Sequence, residues 1–253
     1  MLLGPIAFAQ NPAVSPGGIV NAAGLGHSIT IAPGSLISIF GTNLASTLSV
    51  ASSPTLSTTL GDVDSVTING MPAHLSFVST GQINAQAPWG LIPGPANVVV
   101  TRQGASSQPV AAQVAMFSPA LYGFNLGTAQ AVAVNPDGTV AAPAGSIDGV
   151  TCHPAAFGDA LIFYASGLGP VDPSPPPDGV NSLDQLRQTT TPLQMLMGGV
   201  PAEVLFSGLS PQFAGVYQVN AQTPGGAAPG GAVPVQLMIG SVTSADTLTI
   251  ALQ

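Results

Sequence analysis

Three side-chain amides stand at alternate positions in Gln82-Ile83-Asn84-Ala85-Gln86-Ala87-Pro88, and the arrangement returns in Gln218-Val219-Asn220-Ala221-Gln222-Thr223-Pro224. On an extended strand alternate side chains share a face, so Gln82, Asn84 and Gln86 form one row and Gln218, Asn220 and Gln222 another. Each amide offers an acceptor oxygen and two donor hydrogens. Such a ladder suits two tasks: bonding to sugar hydroxyls or another chain, and satisfying backbone groups stranded in neighbouring loops. The second is favoured, because both copies keep the amides while their surroundings differ. Trp89, the single tryptophan, follows Pro88 where the first strand should end. An exposed indole beside amides would make a platform for a sugar face. The alternative is packing against the segment that joins the two halves. The second copy has Gly225 at this place, so a platform there would be unpaired.

The remaining reactive residues form no catalytic or metal pattern. Asp62 and Asp64 stand two apart, and Asp172 and Asp178 flank the proline-rich Pro173 to Pro177. A calcium ion needs six to eight oxygens, and neither pair has the spacing of a known calcium loop, so solvated turn acids are expected. His27, His74 and His153 are scattered, without the spacing of a zinc site. Cys152 and His153 are adjacent, which on a strand sends them to opposite faces and disfavours a thiolate–imidazolium pair. No nucleophile elbow or phosphate loop is present. The expectation is no catalytic residue, no metal and no cofactor. Cys152 is the only cysteine and has no internal disulfide partner; burial is expected, and pairing between chains is the alternative.

What must position the amides is a duplicated β framework. With Gly34 set on Gly158, Ile37 and Ile39 fall on Leu161 and Phe163, Phe40 on Tyr164, and Leu44 on Leu168. Further on, Gly70-Met71-Pro72-Ala73 falls on Gly199-Val200-Pro201-Ala202, which sets Glu203 against His74. The period suits two tandem domains of roughly a hundred residues each. Val233, Val235, Leu237 and Ile239 alternate with other residues, as do Leu248, Ile250 and Leu252, and Val110, Ala112, Val114 and Met116. Alternation of this kind marks strands with one buried face. The 31 glycines and 25 prolines oppose any sustained helix, and Ser182 to Gln188 is the one helix-tolerant stretch. Ala129 to Ala142 reads as a hairpin about the Asn135-Pro136-Asp137-Gly138 turn and is expected to pack between the domains.

Composition narrows the partners. There is no lysine, Arg102 and Arg187 are the only cations besides histidine, and the net charge is −8 with a pI near 4.1. Phosphate binding needs clustered cations, so nucleic acid and anionic membranes are disfavoured. Only 5% of residues are charged, so the solvated faces must be built from Ser, Thr, Gln, Asn, Gly and Pro, as in many exported β proteins. Leu2 to Ala9 is apolar and Ala7-Phe8-Ala9 resembles a cleavage box, so residues 1–9 read as the remnant of a signal peptide despite lacking a basic start. No other stretch approaches a membrane span.

Ile19-Val20-Asn21-Ala22-Ala23, Ile31-Ala32-Pro33-Gly34-Ser35-Leu36-Ile37-Ser38-Ile39-Phe40-Gly41-Thr42-Asn43-Leu44, Gln82-Ile83-Asn84-Ala85-Gln86-Ala87-Pro88, Gly158-Asp159, Ser166-Gly167-Leu168-Gly169-Pro170-Val171 and Tyr217-Gln218-Val219-Asn220 occur in this order. The series resembles the uncharacterised C-terminal domain of secreted Solibacter-type (acidobacterial) proteins, over nearly all of the chain after residue 18. Each half is also similar to an IPT/TIG immunoglobulin-like domain, in which a Gly-X-Asn-Leu corner follows the first core strand; here the corners read Gly41-Thr42-Asn43-Leu44 and Ala165-Ser166-Gly167-Leu168. The resemblance implies export and a non-catalytic pair of sandwiches. Together these readings give an all-β chain: a signal remnant at 1–9, an extended segment at 10–26, an immunoglobulin-like sandwich at 27–118, a bridging hairpin at 119–149 and a second sandwich at 150–253. The expected function is an exported structural or adhesive surface protein. It would assemble into homo-oligomers or filaments if the uncharged 10–26 segment adds a strand to a neighbour's open sheet edge. The alternative is a carbohydrate-binding module with an extracellular glycan as partner.

Overall fold

The computed structural model describes residues 10–24, 28–124 and 129–253. The signal remnant at 1–9 and His27 lie outside the described residues. Among those described, the chain is all-β, including Ser182–Gln188, which is irregular up to a short pairing at Gln188–Thr189.

In the first half, β1 (Ala13–Asn21), β2 (Leu36–Thr42), β3 (Val63–Ile68), β4 (His74–Val78), β5 (Gln82–Gln86), β6 (Gly94–Arg102) and β7 (Val110–Val114) make two sheets. One runs β1-β2-β5-β4 and ends on Ser49–Val50; the other runs Thr30–Ile31, β7, β6, β3 and Met71–Pro72. Their facing side chains meet in one core: Ile37, Ile39, Leu75 and Ile83 from the first sheet, Val66, Val98 and Val100 from the second. Each of these is fully buried. A period of two that the sequence reading did not single out is clear in β6, where Ala96, Val98 and Val100 go inward and Asn97 outward. In β7 only Val114 is fully inward, and Met116 lies past the strand, half exposed.

The second half contains β8 (Ala160–Ser166), β9 (Leu193–Met197), β10 (Val200–Leu209), β11 (Tyr217–Gln222), β12 (Gly230–Ile239) and β13 (Leu248–Leu252). Here β10 serves both sheets. Its first residues pair with β9, and Glu203 to Leu209 pair with β11. The first half breaks the same path at Ala73, giving Met71–Pro72 to β3 and β4 to β5. Otherwise the halves agree in register. Ile37, Ile39 and Phe40 oppose Ala85, Ile83 and Gln82, while Leu161, Phe163 and Tyr164 oppose Ala221, Val219 and Gln218. A bulge follows in each, between Leu75 and Phe77 and between Val204 and Phe206.

Two segments have specific homes. The strand β1 pairs with β2 of its own sandwich, Ile19 opposite Ile39, and buries Val14 and Ile19 in the first core. This part of the 10–26 segment is therefore paired within the chain. The hairpin forms about its expected turn, with Val134 bridged to Val140 and the Gly138 N–H donating to the Asn135 carbonyl at 3.0 Å. It is built into the second half: Ala133 and Val134 pair with β8, and Ala131, Ala133 and Ala141 enter the second core.

Candidate functional site

The two amide rows lie on the outer faces of their sheets, because the residues between them, Ile83 and Ala85 or Val219 and Ala221, fill the cores. In the first row Gln82 Nε2 donates to Asn84 Oδ1 at 2.8 Å, and Ser38 Oγ donates to the same oxygen at 2.9 Å. In the second, Gln218 Nε2 donates to Asn220 Oδ1 at 2.9 Å. The third amides part company. Gln222 Nε2 caps the Gly158 carbonyl at 2.8 Å near the surface. Gln86 is fully buried where the two halves meet. Its Nε2 donates to the Gly34 carbonyl at 3.2 Å, and its Oε1 accepts the Gly179 N–H at 2.5 Å.

That contact belongs to a seam. The Gly179 carbonyl accepts the Leu56 N–H at 2.8 Å. Gly179 has φ +78°, and a Cβ there would strike the His74 ring and the Leu56 carbonyl, so glycine is required for both conformation and space. The Trp89 N–H donates to Asp178 Oδ1 at 2.8 Å, while the indole packs against the second core. The indole lies so close over Gly34 that a side chain there has no room. Trp89 is thus half-buried rather than a free platform. With Pro33, Leu91, Met116, Pro170 and Pro175 it lines an apolar cleft of about 230 Å³ between the halves. A second joint lies beside it, where Asn21 Nδ2 donates to the Ser118 carbonyl at 2.6 Å and the Ser118 N–H to the Gly167 carbonyl at 2.9 Å.

The remaining candidates are accounted for locally. Asp62 accepts the Ser46 N–H at 3.0 Å and Arg102 Nε at 2.7 Å. Burial pushes its carboxyl up, but the Ser46 bonds and Arg102 outweigh this and hold it at about 2. Asp64 accepts the Gly104 N–H, and Asp172 is exposed. His153 Nε2 faces Asp137 Oδ2 at 2.9 Å, and its bonds to the Pro154 carbonyl and Asp137 raise its pKa. Cys152 is buried beside Val140 and Ile147, its thiol directed at the Val150 carbonyl and away from His153. His74 lies in the seam; burial lowers its pKa, and the charge of Asp178 opposes that. Among the described residues, no three His, Cys, Asp or Glu side chains form a group that could hold a metal, and no helix is long and apolar enough to cross a membrane.

Two aromatic residues escaped the sequence reading. Phe77 opposes Asn84 and Phe206 opposes Asn220, just as Phe40 opposes Gln82 and Tyr164 opposes Gln218. Each amide pair is therefore flanked by two aromatic side chains on adjacent strands. The signal was present in the Gly-X-Pro-Ala alignment, which sets Phe77 on Phe206.

No curated protein matches the chain. Among solved structures, it is similar to a surface glycan-binding protein of Prevotella bryantii at 10% identity and TM-score 0.31, covering 94% of this chain and 42% of that one. It is similar to the SGBP-B protein of a Bacteroides ovatus mixed-linkage glucan utilization locus, in complex with a heptasaccharide, at 11% identity and TM-score 0.36, covering 100% and 49%. A third is the plexin A4 extracellular region, at 11% identity and TM-score 0.30, covering 96% and 18%. The chain spans less than half the length of each, and overlaps this loose transfer neither ligand nor activity. The family comparison is local: residues 27–114, which hold β2 to β7 and the first amide row, match the IPT/TIG domain.

Proposed function

We propose that the chain is a non-catalytic, exported structural or adhesive element in which two immunoglobulin-like sandwiches act as one rigid unit. The observation that carries this reading is Gln86: a fully buried amide bonded on one side to Gly34 and on the other, across the seam, to Gly179. Halves that swung apart would exchange the Gln86–Gly179 hydrogen bond for water, a net loss of about 0.5–1.5 kcal/mol, and would expose the apolar ring of Trp89. Export is supported by the scarcity of charge and by the resemblance of the ordered motifs to those of secreted Solibacter-type proteins. The domain limits we propose are 27–118 and 150–253 for the two sandwiches, with β1 of the 10–26 segment added to the first and 119–149 to the second. Filament formation by strand donation would require β1 to leave its own sheet, so we do not favour it.

Calorimetry of the full chain tests the rigid unit. The wild type is expected to unfold in one transition, and Trp89→Ala is expected to lower stability by about 2–3 kcal/mol and separate two transitions. Two independent transitions in the wild type, unchanged by Trp89→Ala, would overturn the reading.

A further inference from the structure

The outer face of the second sandwich carries a polar row that no part of the seam covers. Cross-strand partners run Tyr164, Gln218, Gly208, Gln188 and Asp172, one residue from each of five strands. Four interstrand spacings make this row about 19 Å long. Two hollows lie along it and share Leu186. One, of about 250 Å³, has Gln218 and Asn220 as its amides and Phe206 and Pro211 as apolar walls. The other, of about 600 Å³, is lined by Gln188, Thr189, Thr190 and Asp172. Gly208 keeps the middle low: a Cβ there would run into the Arg187 carbonyl and the Phe206 ring.

The functional groups specify the ligand. Gln218 and Asn220 bond to each other through one hydrogen bond, which leaves Gln218 Oε1 as an acceptor and Asn220 Nδ2 as a donor, side by side. A hydroxyl both donates and accepts, so neighbouring hydroxyls match this pair. Phe206 flanks the amides on one side and offers apolar surface to a C–H-rich face; on the other, the Tyr164 ring packs edge-on against Phe213 at 6.3 Å and is half-buried. The nearby cation, Arg187, is 4% exposed and fully engaged with Asp184, Ser182 and Ser174. With no free cation at the trough and the carboxylate of Asp172 at its end, an anionic ligand is rejected. The first sandwich repeats the quartet, but there the Ser38 hydroxyl stands beside it, bonded to Asn84 Oδ1, and the strand beyond Phe77 is Ser49–Val50, without the Gln188 and Asp172 that extend the trough. At the place of Ser38 the second has Ile162, opposite Asn220.

We infer that the trough across β8, β11 and β10 binds a neutral polysaccharide chain, with Gln218 and Asn220 holding its hydroxyls and Phe206 its apolar face. This goes beyond the scaffold reading and does not depend on it. The test is affinity electrophoresis of the full chain in gels containing β-glucan, xylan, mannan, starch or the acidic polymer polygalacturonate. Retardation by at least one neutral polymer is expected, with affinity falling about tenfold or more in Asn220→Ala and in Phe206→Ala. Gln218→Glu, which keeps the shape and adds a charge, should do the same, while Gln82→Ala should bind as the wild type does. Unchanged thermal midpoints in the variants would place the loss at the trough. Retardation by no neutral polymer, by polygalacturonate alone, or undiminished in all three trough variants would overturn the inference. So would self-association on sedimentation abolished by Phe206→Ala without glycan binding, since the face would then be a contact between copies.

Discussion

The two copies of the amide strand begin alike and end differently. In both, the first two amides bond to each other on an outer sheet face, Gln82 to Asn84 and Gln218 to Asn220. At the third position, Gln86 is sealed in the seam and Gln222 caps a loop near water. Three residues on, the indole of Trp89 reaches the second core, whereas Gly225 meets nothing. The difference teaches that duplication preserved the framework half of the strand. The remaining half was free to specialise, as an interface in one copy and a solvated end in the other. It also separates two uses of a side-chain amide: the buried Gln86 joins the two halves, and Gln222, near the surface, caps the Gly158 carbonyl within one half.

The comparison breaks most visibly at glycine. Gly179→Val puts a branched side chain at positive φ, against the His74 ring and the Leu56 carbonyl, and is expected to cost about 3 kcal/mol or more. Gly225→Val fills open space and should change stability by about 0.5 kcal/mol or less. Urea unfolding of the two variants measures both, and equal losses would refute the assignment of the seam. Next in size is Gln86→Ala. It strands the Gly179 N–H and the Gly34 carbonyl and is expected to cost about 2 kcal/mol, against less than about 0.5 kcal/mol for Gln222→Ala.

Much of the framework was legible because it rests on a period of two that a single sequence displays. Ile37 and Ile39 against Leu161 and Phe163, and the inward Val233, Val235, Leu237 and Ile239 of β12, followed from the repeat and from alternation. Phe77 and Phe206 did not, for a physical reason. After Leu75, strict alternation sends Ser76 out and Phe77 in, but the bulge moves the register by one, so that Phe77 faces Asn84 and Val78 is buried. The seam was hidden differently. Trp89 and Asp178 stand far apart in sequence, and nothing in either local pattern announces that the turn around Gly179 closes over β5. The hairpin shows a third kind of gap: its turn chemistry fixed its shape, while the sheet it joins was decided by packing of Ala131, Ala133 and Ala141.

The smallest expected effect concerns pH and again separates the copies, since His74 in the seam corresponds to the exposed Glu203. Burial holds the folded His74 pKa below the ordinary value of 6.5. The unfolded chain therefore takes up its proton first as pH falls, so the contribution is fully present above 6.5 and is lost as pH drops from there through the lower folded value. His153 works in the opposite sense. Its raised pKa gives a contribution present below 6.5 and lost as pH rises through the folded value. Asp62 and Asp137, held at about 2, stay ionised between pH 5 and 7 and add no slope there. Thermal midpoints of the wild type and His74→Gln at pH 7 and pH 5 isolate the seam term. Relative to the wild type, His74→Gln should be the less sensitive to acidification. If it is destabilised by acid as much as or more than the wild type, His74 is not excluded from water by the second half, and the seam is looser on that side than the contacts of Gln86 imply.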